Sequence, residues 1–326
     1  MKKRMILLLA ALLLLLSGCA GQNQQPPAAS PTPIVVGFSQ LGAESAWRIA
    51  NTASMEKAAK KAGYGLMMEN ANQKQDRQIS AIRSFIAYQV DVIVFSPIVE
   101  TGWDNVLREA RQAGIPVLLM DRMIETTEEG LYAGYVGADF YTEGRKAGEY
   151  LIRKADALGK THMNIVEISG TPDSTPMRDR QQGFMDAIRD DPRFTVLSSI
   201  SGDFLRSKGE ECMKALIDEF GVDGIDVVYS HNDEMTLGAL KILENAGAHP
   251  GKDVLMVTVD GAKEAVEALK QGRVNCVVQC TPALGDAVME LVRKLMAGES
   301  IPAVAHPEEG VFTDFDDLTD PAVEGF

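Results

Sequence analysis

The sequence has 326 residues, 45% apolar and 24% charged, which suits a soluble globular chain longer than one typical domain, with ample core and no need of disulfide or metal staples. Acidic residues number 46 against 32 basic ones, for a formal charge of −14. That balance argues against a nucleic-acid partner, because phosphate binding relies on clustered Lys and Arg.

The chain opens on Lys2, Lys3 and Arg4, followed by unbroken Ile, Leu and Ala from Ile6 to Leu16. A basic start and so short an apolar run read as an export signal, too short to span a membrane comfortably. Leu16-Ser17-Gly18-Cys19 resembles the bacterial lipobox. The resemblance implies cleavage after residue 18, with lipid on the Cys19 sulfur and on its new amino group. Residues 20–33 are rich in Gln, Pro and Ala and hold no large apolar side chain, so 19–33 is expected to be a lipid-anchored flexible linker.

From Ile34 onward, short apolar runs alternate with amphipathic stretches. The runs are Ile34–Phe38, Tyr64–Met68, Val90–Phe95, Ile115–Met120, Leu131–Val136, Met163–Ile168, Phe194–Ile200, Val227–Ser230, Val254–Val259 and Val274–Gln279. Little polar alternation interrupts them, as expected of parallel strands covered on both faces. Between them lie helical patterns such as Ile79, Ile82, Phe85 and Ile86. The alternation predicts an α/β fold of two doubly wound parallel-sheet lobes joined by a hinge. Crossings between lobes are expected near Gly137-Ala138-Asp139 and Gln279-Cys280-Thr281-Pro282. Residues 34–138 plus 280–309 then form an N-terminal lobe, and 139–279 plus 310–326 a C-terminal one.

Beyond Cys19, three cysteines remain. Cys276 and Cys280 stand four apart on one predicted strand, about 13 Å at ~3.3 Å per residue, too far to bridge. Cys212 shares a helix face with Met213 and Leu216, and all three thiols are expected to be buried. His162, His231, His249 and His306 are scattered, with no spacing for a triad or a metal, so no enzyme activity, metal or cofactor is expected. Gly159-Lys-Thr161 lacks the first glycine of a phosphate loop and precedes a strand. Asp314 to Asp320 lacks the glycine and closing glutamate of a calcium loop and reads as a solvated acidic tail.

In doubly wound sheets, ligands bind beyond the carboxyl ends of strands. Polar residues gather at those exits: Glu44, Ser45, Trp47 and Arg48, then Asp121-Arg122, Arg178 and Arg180, Phe204 with Arg206, Asn232-Asp233, Asp260-Gly261 and Gln279. Carboxylates accept neighbouring hydroxyls, guanidinium and amide groups donate, and an indole packs on an apolar ring face, a combination suited to a polyol. Plainer roles stand beside these: Asp233 as a helix N-cap, Asp260 as a turn residue, Asp121-Arg122 as a structural ion pair and Trp47 as a core residue.

With those residues, the chain resembles the ribose- and galactose-type sugar-binding proteins of bacterial ABC transporters. Val36-Gly-Phe-Ser-Gln40, Ile115 to Arg122, Gly202-Asp-Phe-Leu-Arg206, His231 to Ala239 and Val259-Asp-Gly261 carry the resemblance. Glu44 to Arg48, Gln73-Lys-Gln75 and Thr101-Gly-Trp103 look most like the galactofuranose-binding branch. The resemblance implies a type I periplasmic binding protein fold and ligand contacts from Ser45, Trp47, Arg48, Asp121, Arg122, Arg180, Phe204, Asn232, Asp260 and Gln279. Glu44 matches as a contact or as a shaper of its loop, and Arg178 could share or replace the role of Arg180. Ribose-type members carry paired aromatics where Ala46-Trp47-Arg48 offers one aromatic and a cation, which implies a sugar with a further hydroxyl. The partners implied are a monosaccharide, an ABC permease and a membrane reached only through the lipid, for a monomer outside the cytoplasm. The same fold serves transcription repressors, but an export signal stands where their DNA-reading head would be. A receptor module for a chemotaxis or histidine-kinase sensor is the alternative.

Overall fold

Apolar runs become strands wherever both faces are covered. The computed structural model describes residues 33–326, so the expected export signal, Cys19 and nearly all of the linker lie outside the described residues. The ten runs form β1 (Val35–Gln40), β2 (Gly65–Asn70), β3 (Val92–Phe95), β4 (Val117–Met120), β5 (Gly134–Val136), β6 (Met163–Ser169), β7 (Phe194–Ser201), β8 (Val227–Ser230), β9 (Leu255–Asp260) and β10 (Cys276–Gln279). Two further strands, β11 (Val304–Ala305) and β12 (Val311–Thr313), escape sequence reading. The helices between are α1 (Ala46–Ala62), α2 (Gln75–Tyr88), α3 (Asp104–Gln112), α4 (Phe140–Leu158), α5 (Thr175–Ile188), α6 (Arg206–Phe220), α7 (Asp233–Asn245), α8 (Lys263–Lys270) and α9 (Gly285–Met296).

The strands make two sheets of the same design. One runs β2-β1-β3-β4-β5-β11 and the other β7-β6-β8-β9-β10-β12. All pairings are parallel except β12, which runs antiparallel to β10. Each sheet is doubly wound, with its switch point between the first and third strands, β1/β3 and β6/β8.

Period-two alternation decides which face each side chain takes. In the first sheet Val92, Val94, Leu118 and Met120 join a core that continues through α4 into the second sheet. Their neighbours Ile93, Phe95, Val117 and Leu119 pack instead with Phe85, Trp103 and Leu107 of the α2–α3 side. In the second sheet Val166, Ile168 and Val228 pack with Met213, Leu216 and Leu240 of α6 and α7. Helices α4 and α5 approach so closely that a Cβ on Gly144 would lie 2.1 Å from the Arg180 carbonyl oxygen, and one on Gly183 2.0 Å from that of Tyr141. Only glycine fits there, and the approach seats Arg180 at the end of the sheet.

The thiols of Cys212, Cys276 and Cys280 are free and buried. The acidic segment Asp314 to Asp320 is mostly exposed, in keeping with its solvated reading, and is tied down at a few points. Asp314 accepts from Lys154 Nζ at 2.6 Å and from Tyr150, Asp316 accepts from Thr313, and Val323 is buried. Antiparallel pairing of β12 with β10 fixes this segment, an interaction that leaves no local pattern in the sequence. No helix among the described residues is long and apolar enough to cross a membrane.

Candidate functional site

Strand exits of both sheets converge on one cavity. Glu44, Ser45, Trp47, Arg48, Asp121, Arg122, Arg180, Phe204, Asn232 and Asp260 line it, together with Phe140, Pro176 and Cys280.

Serine 45 caps α1: its Oγ accepts from Arg48 N at 3.1 Å, which puts Trp47 and Arg48 in the first turn facing the cavity. Trp47 Nε1 donates to the Cys280 carbonyl at 2.9 Å, and the Arg48 guanidinium lies 4.6 Å from the Trp47 ring centre. Arg48 Nη1 pairs with Asp121 Oδ2 at 2.6 Å, and Ser96 Oγ donates to the same oxygen at 2.8 Å. Glu44 approaches Arg48 Nε at 3.5 Å, while its Oε2 is buried without a partner.

Asp121 sits just past β4 at φ 66°, a strained region for a side chain that is not glycine. Tyr135 OH donates to its carbonyl at 2.7 Å and holds the turn. The expected Asp121–Arg122 pair is corrected here, since Arg122 Nε stands 3.9 Å from Asp121 and Arg48 is the close partner. Arg122 instead donates from Nη1 to the Ile98 carbonyl at 2.9 Å and stacks 5.2 Å from the Phe204 ring centre. Its Nε is buried with no acceptor. Burial, with Arg48 adding to it and Asp121 opposing it, pulls its pKa down to about 9.

From the second sheet, Arg180 donates from Nε to Glu143 Oε2 at 2.7 Å, bonds the His231 carbonyl and stands 3.7 Å from Asp260. Phe204 adopts φ 61° and lies over Gly170, where a Cβ would meet the ring at 1.9 Å. Asn232, rather than Asp233, is the N-cap of α7: its Oδ1 accepts from Met235 N at 3.0 Å, and its Nδ2 donates to the Phe204 carbonyl at 3.3 Å. Asp233 instead accepts from Gly261 N, Ala262 N and Thr258 Oγ1, which clamps the loop carrying Asp260. Burial raises the carboxyl pKa of both Asp260 and Asp233.

Gln279 is not brought to this cavity. Its Oε1 accepts from Gly310 N at 3.0 Å, and it lines a neighbouring acidic pocket with Glu308, Glu309 and Glu324. Arg178 also stands apart, paired with Glu100 and Asp179. Arg206 turns outward to Glu234 and Glu264. Phe140 and Pro176 escaped the sequence reading because each opens a helix and looks like a packing residue. Cys280, one residue past β10, was read as a buried thiol only.

Contacts also link segments that follow the two sheets. Glu100 pairs with Arg178, Glu100 N donates to the Asp173 carbonyl at 2.9 Å, and Met123 N donates to Thr175 Oγ1 at 3.1 Å. Ala46 N reaches Glu234 Oε1 at 3.4 Å on the other side.

Behind the cavity, ligand atoms of Glu143, Cys280 and Glu309 lie within 4.8 Å of one another. They are the one such group of potential metal ligands among the described residues, and Glu143 already serves Arg180. Burial, reinforced by Glu143, pushes the Glu309 carboxyl up to about 8, although Thr281 N donates to it. Its raised folded-state pKa means that folding takes up a proton. The associated stability is complete below about pH 4.5 and is lost as pH rises through about 8. Wild type is therefore expected to lose melting temperature between pH 5 and 9 more steeply than Glu309→Gln. Parallel melting curves across that range would show that Glu309 titrates normally.

A model of the periplasmic binding protein domain matches residues 36–300, so the chain belongs to the periplasmic binding protein family. It is 40% identical over 275 residues to the galactofuranose-binding protein YtfQ of Escherichia coli (strain K12), covering 84% of this chain and 86% of that one. A solved structure from Mycobacterium smegmatis in complex with β-D-fucofuranose superposes with a TM-score of 0.84 at 43% identity, covering 86% of this chain and 92% of that one. The binding protein of the arabinose ABC transporter from Shewanella sp. ANA-3, bound to α- and β-L-arabinofuranose, gives 0.82 at 38%, covering 86% and 91%.

Proposed function

We propose that this chain captures a monosaccharide in the furanose ring form and delivers it to an ABC permease, with no covalent chemistry. One observation carries the reading: a cleft in which buried charged groups from both sheets converge, with Glu44 Oε2 and Arg122 Nε still unpartnered. Buried polar atoms without partners are costly, and sugar hydroxyls both donate and accept. Trp47 and Phe204 supply the apolar faces, and the neighbours named for fucofuranose and arabinofuranose support a furanose. Lobes of 34–138 plus 280–309 and 139–279 plus 310–326 would close around it, because only the closed form lets both sheets touch the sugar.

A thermal-shift screen over pentoses and hexoses tests this, since a ligand bound only by the folded state raises its melting temperature. D-Galactose, which supplies galactofuranose in its ring equilibrium, should shift wild type more than ribose does. Ribose is expected to bind about ten- to a hundredfold more weakly, because it leaves Arg48 donors without an acceptor. Arg48→Ala should narrow that gap by weakening the hexose more. Equal titrations of wild type with both sugars would end the specificity argument.

A lipid anchor at Cys19 completes the reading and is supported by the lipobox resemblance alone. Cys19→Ser should move the protein from the membrane to the soluble fraction in detergent partitioning. Undiminished membrane retention would count against the anchor.

A further inference from the structure

His231 is wholly buried between β8 and the cap Asn232, and it does not line the cavity. It nevertheless touches the supports of three residues that do. Its carbonyl accepts from Arg180 Nη1. Its Nδ1 accepts from Gly170 N at 3.3 Å, and Gly170 is the floor on which the Phe204 ring lies. The Gly170 carbonyl is held from the other side by Ser201 Oγ at 2.8 Å. Asn232, next in sequence, donates to the Phe204 carbonyl.

Accepting at Nδ1 places the ring proton on Nε2, 2.9 Å from Glu167 Oε1. Glu167 is buried too, and Gln181 Nε2 fixes its other oxygen at 2.6 Å. Burial alone would raise the Glu167 carboxyl pKa, yet the hydrogen bond from His231 leads the effects that bring it below its ordinary value. An ionised acceptor on one side selects one tautomer, which presents a lone pair to Gly170 on the other.

We infer that the His231–Glu167 pair is a positioning device for the second sheet's half of the sugar site, setting the Gly170 floor under Phe204 and the seat of Arg180. The inference rests on the sugar-binding reading and adds residues that never touch the sugar. His231→Leu removes the acceptor for Gly170 N and leaves that donor and Glu167 Oε1 buried without a partner. His231→Asn can place its Oδ1 near the position of Nδ1 and restore the acceptor.

Titration and stopped-flow release with D-galactose on the full-length protein test it. The expected result is a rise in dissociation rate of about tenfold or more for His231→Leu, with most of the affinity returned by His231→Asn. Glu167→Ala, which leaves every backbone contact of His231 in place, should also speed release and covers the case of a His231 variant that does not fold. Release at the wild-type rate from Glu167→Ala and His231→Leu, or equal losses in the Leu and Asn variants, would overturn the positioning role. Absence of binding by wild type would overturn the sugar reading itself, and this role with it.

Discussion

Asp121→Ala is expected to reduce sugar affinity by two to three orders of magnitude. Its carboxylate is buried, offers acceptors to the cavity and is the close partner of Arg48 at 2.6 Å. A hydrogen bond to a charged group contributes about 1.5–3 kcal/mol, and breaking a buried ion pair costs about 3–5 kcal/mol because one charge is left behind. The stranded charge here is Arg48, whose remaining carboxylate neighbour Glu44 stands 3.5 Å away. Asp121→Asn should lose less, since an amide oxygen still accepts from Ser96 and Arg48. Isothermal titration of the three proteins decides the matter, and unchanged affinity in Asp121→Ala would make the pair purely structural.

Arg180→Met should damage both binding and stability. Arg180 is 3% exposed and faces Glu143, at 1%, and Asp260, at 7%, so its removal leaves two carboxyls without their cation. At about 3–5 kcal/mol for a broken buried pair, the melting temperature should fall by roughly 6–20 °C. The damage should shrink at lower pH. Burial raises the pKa of both Glu143 and Asp260, and Arg180 is what opposes the rise. Without Arg180 the folded state takes up protons more readily, so stability recovers as pH falls. Calorimetry at pH 5 and pH 8 measures this, and a deficit that is the same at both values would contradict the charge account.

The parts of this structure legible in the sequence are those with a local physical cause. Strands covered on both faces must be apolar throughout, so Val92–Phe95 and Val117–Met120 announce themselves. Strands β11 and β12 are two and three residues long and exist through pairing with β5 and β10, distant in the chain. The strand-exit rule gathered most of the cavity lining because topology places those loops together whatever their residues. It could not say that Asp121 pairs with Arg48 across 73 positions rather than with its neighbour Arg122, because side-chain partners within a cleft leave no periodic trace. Nor could it tell that Gln279 would turn to Gly310, a partner that exists only once β12 returns along β10.

That late return also sets an order of events. The first sheet gains its last strand at Val304–Ala305 and the second at Val311–Thr313, only a few residues later. Helix α9, which packs on α1, is likewise supplied from near the end of the chain, with Gly285 so close that a Cβ would lie 2.3 Å from the Ser54 carbonyl oxygen. A ribosome emits a chain from its N-terminus, so neither sheet is complete until residues 304–313 have been made, and β1 waits for strands more than 260 residues later. Contacts so distant in sequence carry a high loop-closure cost and slow folding.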